Sequence, residues 1–168
     1  MINMRNNNKL FIATSSFGSY SNEAVLILKK KKINFKLNPL KRKLSKYELI
    51  KYAKGYDNII AGTEIYDKEV FSALKGLKYI FRLGSGIENV EINSSKRYNV
   101  KIEKSKITPE KSVAELVLGF ILNFKKNISI HDRNLKNGIW KKKMGNLLYG
   151  SKVGIIGFGK IGKYLYKI

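Results

Sequence analysis

The stretch "VGIIGFGKIGKYLYKI", residues 153–168, decides the predicted fold. Lys152 to Ile156 form a short run rich in β-branched residues, which is typical of a buried parallel strand. Glycines with the spacing G-x-G-x-x-G follow this run, and the residues after them can form a helix. The stretch therefore predicts a strand, a glycine-rich turn and the start of a helix.

Each glycine of this turn has a physical task in a dinucleotide site. Gly157 permits the sharp turn off the strand, Gly159 lets a pyrophosphate approach the backbone, and Gly162 lets the helix pack closely on the strand. The helix N-terminus would offer N–H groups and a positive dipole end to the phosphates. The alternative is an ordinary tight β–α turn that binds no ligand. An acidic residue roughly 20 positions further on, which holds the ribose hydroxyls in such sites, would lie beyond Ile168.

Composition sets limits on the class of protein. The chain has 168 residues, of which 43% are hydrophobic, and this is enough for a packed core. It contains no cysteine, which excludes a disulfide framework and a cysteine-based metal site or nucleophile and fits a reducing cytosol. The sequence shows neither the long apolar region of a signal peptide nor an apolar run that could span a membrane. We therefore expect a cytoplasmic protein that has no membrane partner.

The net charge of +22 could indicate a nucleic-acid partner. The lysines, however, are spread along the whole chain, and they far outnumber the arginines. Lysine, isoleucine and asparagine are all abundant, as expected from AT-rich codons, so base composition accounts for the charge. We expect no specific nucleic-acid partner, because charge alone gives only non-specific, salt-sensitive association.

The first hundred or so residues alternate strand-like and helix-like segments, which predicts a parallel sheet with helices on both faces. Ser21, Ser45 and Asp67 are predicted N-caps, and Glu48 would complete a capping box with Ser45. The predicted strands are Leu10–Thr14, Ile33–Leu37, Asn58–Ala61, Leu77–Leu83 and Val100–Ile102. The predicted helices are Ser21–Lys32, Ser45–Lys54, Asp67–Lys75 and Ile92–Arg97.

A long helix is predicted from Pro109 to about Asn137-Gly138. Its apolar residues recur at spacings of three and four, which is typical of a helix with one buried face. These residues are Val113, Leu116, Val117, Phe120, Ile121, Phe124 and Ile128. Within this chain nothing would cover that face or the strand at Val153–Gly157, so we expect both to expose apolar surface.

Three segments, in this order and spacing, resemble the D-isomer-specific 2-hydroxyacid dehydrogenases, and in particular their phosphoglycerate dehydrogenase-like branch. They are "LKYIFRLGSGIENVEI" (77–92), "SVAELVLGFIL" (112–122) and "DRNLKNGIWKKKMGNLLYGSKVGIIGFGKIGK" (132–163). The resemblance implies a flavodoxin-like parallel-sheet substrate domain over residues 1–104 and a connecting helix and loop over 105–149. Residues 150–168 would begin a Rossmann domain that binds NAD.

The resemblance also implies a reaction and the residues that serve it. The family transfers a hydride between NAD and the hydroxyl-bearing carbon of a D-2-hydroxy acid, and the full-length protein would be a homodimer. Val113 would lie on the helix that passes beside the nicotinamide and is a candidate cofactor-binding residue, and the backbone amides of Ser85 and Gly86 would hold the substrate carboxylate. The residues that match the pyrophosphate-binding turn are Gly157, Phe158, Gly159, Lys160, Ile161 and Gly162. The choice between NAD and NADP stays open, because the discriminating residue belongs to the next strand.

The chain departs from the family pattern in three places. The catalytic arginine, glutamate and histidine of the family would all lie after Ile168, so we expect no catalytic residue here and no turnover by this chain alone. His131, the only histidine, is predicted to be an ordinary surface or partly packed residue. Residues 104–106 replace the Asn-Thr-Pro stretch of many relatives. Ala61 replaces an arginine that holds the substrate phosphate, so the substrate need not be phosphorylated.

Two interpretations of the function follow. The first is a truncated dehydrogenase, which the retained apolar tail favours. The alternative is a non-catalytic module that keeps the first domain and binds a small carboxylate or a partner protein. A stand-alone module would be expected to have lost or blunted the tail.

Overall fold

The computed structural model describes residues 9–84 and 86–168, which belong to two compact units. The first unit ends at Thr108 and the second spans Pro109–Ile168. The strands of the first unit are β1 Lys9–Ile12, β2 Asn34–Leu37, β3 Asn58–Ala61, β4 Tyr79–Arg82 and β5 Lys101–Lys104. Its helices are α1 Glu23–Lys30, α2 Lys46–Ala53, α3 Lys68–Ala73 and α4 Ile92–Arg97.

The five strands form one parallel sheet in the order β2-β1-β3-β4-β5. This is the flavodoxin-like order, so the predicted fold class is confirmed. Leu10 of β1 pairs with Phe35 on one side and with Asn58 on the other. The strand order reverses at the β1/β3 boundary, where the connections leave the sheet in opposite directions and open a crevice at its carboxyl edge.

The core of the first unit surrounds the three central strands. Phe11, Ile59 and Ile80, one from each central strand, are fully buried. Helices α2 and α3 contribute buried apolar residues to the same cluster, including Leu49 and Phe71. The central strands are apolar along most of their length because both faces of a parallel sheet are covered, whereas the edge strands β2 and β5 are largely exposed.

Two of the three predicted helix caps are present. The Ser45 hydroxyl accepts from the Glu48 amide at 3.3 Å, and Glu48 accepts from the Ser45 amide at 2.9 Å, which confirms the capping box. Asp67 accepts from the Val70 amide at 3.1 Å, as predicted. The predicted cap at Ser21 is wrong, because its hydroxyl accepts from the Glu23 amide in a local turn and α1 begins one residue after Asn22.

The Glu48 carboxylate is held by more than the cap. Both of its oxygens accept from the Arg42 guanidinium, at 2.6 and 2.9 Å. The Arg42 pair and the Ser45 amide lower the pKa of Glu48 to about 2. Because this folded-state pKa lies below the ordinary value, the stabilisation is present above about pH 4.5 and is lost as the pH falls toward 2.

We therefore expect Glu48→Gln to lower the stability of the first unit at pH 7 and to differ little from the unchanged chain near pH 2. The measurement is the urea midpoint of far-UV circular dichroism at both pH values. Glu88→Gln is the control, because it removes the same charge from an exposed turn that has no arginine pair. If Glu48→Gln lowered the urea midpoint of the unchanged chain by the same amount at both pH values, the cap geometry and not the charge of Glu48 would be responsible.

The second unit contains α5 Glu110–Lys126, α6 Ile128–Lys136 and α7 Lys160–Lys167. The prediction of one continuous helix is wrong, because Asn127 has a left-handed backbone with φ 56° and ends α5. Asparagine is among the few residues that tolerate this conformation. The Asn123 side chain then accepts from the Ser129 amide at 2.8 Å and starts the next helix.

The apolar face of α5 is only partly covered. α5 packs against α7, and the Lys111 ammonium lies 6.0 Å from the centre of the Tyr164 ring. Ala114 is the one fully buried residue of α5, whereas Phe120 and Phe124 are 61% and 83% exposed. The apolar surface expected from the sequence is therefore present on α5.

The predicted strand at Lys152–Ile156 is absent from the described structure, in which these residues have no ladder partner. A parallel strand forms only beside a hydrogen-bonded neighbour, and all five described strands belong to the first unit. The predicted β–α unit is therefore represented by its turn and its helix alone. Among the described helices, none combines the length and the apolar character needed to cross a membrane.

Candidate functional site

Three loops of the first unit meet at the carboxyl edge of its sheet. They are Thr14–Ser16 after β1, Gly62–Glu64 after β3, and the end of β4 at Arg82 and Leu83. Together with Lys43 they line a cavity of about 310 Å³. This position, outside the carboxyl ends of β1 and β3 where the strand order reverses, is where open α/β sheets bind ligands.

The turn after β3 is tight. The Gly62 amide donates to a Glu64 carboxylate oxygen at 2.8 Å, and Glu64 is only 2% exposed. A Cβ on Gly62 would lie 3.1 Å from that oxygen and 3.1 Å from the Cβ of Thr14. The absence of a side chain at Gly62 therefore allows the loops after β1 and β3 to approach each other.

Asn89 joins this turn to the end of β4. Its side-chain amide donates to the Gly62 carbonyl at 3.3 Å and to the Glu64 carbonyl at 2.5 Å. Its carbonyl oxygen accepts from the Nε of Arg82 at 3.1 Å, and an Arg82 Nη donates to the Leu83 carbonyl. No local sequence pattern marks Asn89 or Arg82, although both lie in the segment 77–92 that resembles the family. Three side-chain hydrogen bonds thus fix the turn after β3 relative to the end of β4.

The two residues predicted to hold a substrate carboxylate, Ser85 and Gly86, follow Gly84 in the sequence. Ser85 lies outside the described residues. Gly86 is described, and a Cβ there would collide with the carboxylate of Glu88. Gly84 has φ +124°, a backbone conformation that favours glycine. The role of Ser85 and Gly86 in substrate binding stays a prediction.

Tyr66 lies in the core near these loops. Its side chain is fully buried, and its hydroxyl has no hydrogen-bond partner among the described residues. Burial and the nearby Glu64 carboxylate raise the pKa of Tyr66 well above its ordinary value, and the Arg82 charge opposes them. Tyr66 therefore stays a neutral phenol at physiological pH and cannot act as a base there.

The glycine-rich turn of the second unit has three different local environments. Gly157 has φ +86°, a left-handed conformation that favours glycine. A Cβ on Gly162 would lie 2.7 Å from the Gly157 carbonyl oxygen and 3.2 Å from the Cγ2 of Ile155. A Cβ on Gly159, the residue that precedes α7, would meet no atom within 4 Å. The turn itself thus requires Gly157 and Gly162, whereas at Gly159 the fold leaves open space beside the backbone.

The other residues predicted for this turn surround the start of α7. Phe158 packs edge-on against Tyr166, with 6.0 Å between the ring centres. Lys160 and Ile161 form the exposed first turn of α7. Val113, one turn into α5, is half-buried and donates its amide to the Pro109 carbonyl at 2.9 Å. The proposed contacts of these residues with a cofactor stay predictions.

Other candidate positions show local structural roles. The Nε2 of His131 lies 3.0 Å from the Lys143 carbonyl oxygen, so the ring bridges α6 and the following loop. Ser105 makes a local turn, accepting from the Ile107 amide at 3.1 Å. Ala61 is fully buried. No group of three or more histidine, aspartate or glutamate residues in the described part of the chain could hold a metal ion.

Comparisons with known proteins point to one family. A family model described as "D-isomer specific 2-hydroxyacid dehydrogenase, catalytic domain" matches residues 12–158. Hydroxypyruvate reductase of Thermotoga maritima is 34% identical over 128 residues, covering 74% of this chain and 42% of that protein. D-3-phosphoglycerate dehydrogenase of Archaeoglobus fulgidus is 31% identical over 145 residues, covering 84% of this chain and 27% of that protein.

A solved structure supports the fold. The NAD⁺-bound 3-phosphoglycerate dehydrogenase of Entamoeba histolytica superposes with a TM-score of 0.72 at 23% identity. The superposition covers 95% of this chain and 49% of that one. In all three comparisons this chain spans less than half of the length of its relative.

Proposed function

Since this chain belongs to the D-isomer-specific 2-hydroxyacid dehydrogenase family, we propose that it supplies the substrate domain and the pyrophosphate-binding turn of an NAD-dependent oxidoreductase. In this proposal residues 1–104 form the substrate domain, residues 105–149 connect it to the cofactor domain, and residues 150–168 begin the cofactor domain. The substrate is a small D-2-hydroxy acid or the corresponding 2-oxo acid. The working protein is a homodimer.

The observation that carries the proposal is the difference between the glycines of the turn. A turn with no ligand needs glycine only where its own backbone is crowded or left-handed, as at Gly162 and Gly157. Gly159 meets neither condition, since open space surrounds the position of its Cβ and its φ is −79°. A glycine there is explained by a group that must approach the backbone closely.

The residues of the turn fit the pyrophosphate of NAD. The first amides of α7 have no partner in an earlier turn of the helix, and the dipole of α7 favours negative charge at this end. Lys160, the first residue of α7, adds a positive side chain beside the same end. When bound, NAD supplies the carbon that exchanges the hydride, and this chain contributes the binding and orientation of its phosphates.

On the substrate side, the proposed contacts are the backbone amides of Ser85 and Gly86. Donors fixed by the backbone orient a carboxylate without loss of side-chain entropy. Hydride transfer also needs a base for the hydroxyl proton and a cation that polarises the carbonyl. We assign neither role to a described residue, and the Nε2 of His131, the only histidine in the sequence, lies 3.0 Å from the Lys143 carbonyl oxygen. We therefore expect no turnover by the chain alone.

A second candidate function is a non-catalytic module that binds a small carboxylate. The observation that favours it is the first unit, which has a core cluster of its own and a cavity lined entirely by its own residues. A module of this kind would bind hydroxy acids with no contribution from the glycine-rich turn.

We expect NAD⁺ to bind the chain weakly, with a dissociation constant on the order of 1 mM or weaker, because the turn forms only one wall of a site. In ¹⁵N spectra the shifted amides should be those of Gly157–Gly162. Gly159→Val should abolish these shifts, because its side chain would occupy the space needed by the pyrophosphate.

Gly154→Val is the matched control, because a Cβ at Gly154 also meets no atom within 4 Å and Gly154 lies outside the turn. Equal NAD⁺ shifts in the Gly159→Val and Gly154→Val chains would overturn the assignment of the turn. Hydroxy-acid binding that persists without any NAD⁺ response would favour the second candidate.

A further inference from the structure

We propose that the end of α5 is a positioning site for the glycine-rich turn, where Lys125 and Asn127 hold the loop that leads into that turn. We call this loop, residues 143–151, the entry loop. The proposed function gives the turn the task of holding a pyrophosphate, and this positioning role rests on it. The role belongs to residues outside the turn, which fix the place from which the turn starts.

The start of the entry loop is bonded to the end of α5. The Asn127 side-chain amide donates to the Met144 carbonyl at 3.1 Å. The Asn146 backbone amide donates to the Lys125 carbonyl at 2.7 Å. Because Lys125 lies in the last turn of α5, where carbonyl groups lack partners within the helix, the entry loop satisfies one of these carbonyls.

Gly145 allows the entry loop to lie directly on α5. A Cβ on Gly145 would collide with the Lys125 carbonyl oxygen and would lie 2.9 Å from the Cα of Lys126. Both of these atoms belong to the backbone, which cannot move aside as the end of a flexible side chain could. A side chain at Gly145 would therefore push the entry loop away from the helix.

The Lys125 side chain holds the other end of the entry loop. Its ammonium donates to the Ser151 hydroxyl at 3.1 Å, and this hydroxyl donates in turn to the Leu147 carbonyl at 3.0 Å. A hydroxyl that accepts one bond and donates another uses both of its functions. Lys125 makes no ion pair within residues 9–84 and 86–168, so Ser151 is the polar partner of its ammonium there.

The helix α5 also holds the far side of the turn. It packs against α7, and Lys111, near the start of α5, lies 6.0 Å from the centre of the Tyr164 ring. At about 1.5 Å per residue, the rise from Lys111 to Lys125 is about 21 Å. The segment 152–159 therefore begins at one end of α5 and leads to a helix that is held near the other end.

No sheet holds this segment in the part of the chain that the structure describes. Residues 152–156 have no ladder partner there, so the bonds to α5 restrict the place where the segment begins. A turn that samples several arrangements binds more weakly, in proportion to the fraction of chains in the competent arrangement. Lys125 and Asn127 therefore raise the fraction of chains whose turn is ready to receive a pyrophosphate.

The test compares ¹⁵N relaxation of the full chain with that of variants at the end of α5. Lys125→Met keeps the apolar stem and removes the donor, so the order parameters of residues 152–157 should fall from about 0.8 toward about 0.6. Lys125→Arg keeps a donor and should restore them. Lys126→Met is the control, because it removes the same charge from an exposed neighbour that has no side-chain bond among the described residues.

Two further variants test the contacts separately. Ser151→Ala should loosen the same residues, and combining it with Lys125→Met should add little, because the two side chains share one bond. Gly145→Ala should also loosen them by displacing the entry loop. Gly154→Ala is its control and should not, because a Cβ at Gly154 meets no atom within 4 Å.

A titration with NAD⁺ then relates the order of the turn to binding. If the competent fraction falls to about a third in Lys125→Met, the shifts of Gly157–Gly162 should require about threefold more NAD⁺. Unchanged order parameters would overturn the positioning role, as would an unchanged NAD⁺ midpoint in a chain whose turn has loosened. A loss of order spread evenly over α5, α6 and α7 would overturn it too, since the contacts would then serve general stability.

Failure of the proposed function is a different result. If the unchanged chain gives no NAD⁺ response, the assignment of the turn to a pyrophosphate fails. The order parameters, which are measured without any ligand, still decide whether Lys125 fixes the start of the turn.

Discussion

Replacing Phe11 with alanine is expected to lower the free energy of unfolding of the first unit by about 3–5 kcal/mol. Phe11 is fully buried in β1, where it pairs with Lys36 of β2 and with Ile59 of β3. Its ring lies 5.6 Å from the ring of Tyr56. Hydrogen-bonded strands on both sides hold the backbone in place, so the structure cannot collapse into the cavity that the substitution leaves.

The measurement is urea unfolding followed by far-UV circular dichroism. Because a domain is stable by only about 5–15 kcal/mol, the substitution should remove a large part of the total. Phe124→Ala is the control, since it deletes the same ring from a position that is 83% exposed, and its effect should stay within about 0.5 kcal/mol. A loss below about 1 kcal/mol for Phe11→Ala would mean that the centre of the sheet is loosely packed.

The features that were predicted correctly depend on neighbouring residues in the sequence. The strand Asn58–Ala61 and the helix Ile92–Arg97 have the predicted bounds. The capping box of Ser45 and Glu48 joins residues three positions apart. Apolar runs, caps and the β–α alternation are local signals, and together they determine a parallel sheet because each strand must reach the next through a helix.

The features that were missed depend on partners that are distant or on a single backbone angle. The break at Asn127 rests on one left-handed residue inside a periodic apolar pattern. The strand predicted at Lys152–Ile156 needs a neighbouring strand, which a local pattern cannot supply. The bonds of Asn89 reach residues 25 and 27 positions earlier, and nothing in the local sequence marks them.

Because Asn89 joins the turn after β3 to the end of β4, Asn89→Ala is expected to lower the free energy of unfolding of the first unit by about 2–3 kcal/mol. The substitution removes hydrogen bonds to the Gly62 and Glu64 carbonyls and to the Arg82 guanidinium. Each is worth about 1 kcal/mol, and partly buried groups that lose their partner add to the cost. Arg82 would keep only its bond to the Leu83 carbonyl, so the edge of the cavity should become less well fixed.

Urea unfolding measures the stability, and hydrogen exchange at the amides of residues 62–64 reports whether the turn has loosened. Asn93→Ala is the control, because Asn93 is an exposed residue of α4 and has no side-chain bond among the described residues. If Asn89→Ala behaved like this control, the backbone alone would hold the turn after β3. If instead the turn loosens, Asn89 holds the turn after β3 against the end of β4, and both of these segments line the cavity.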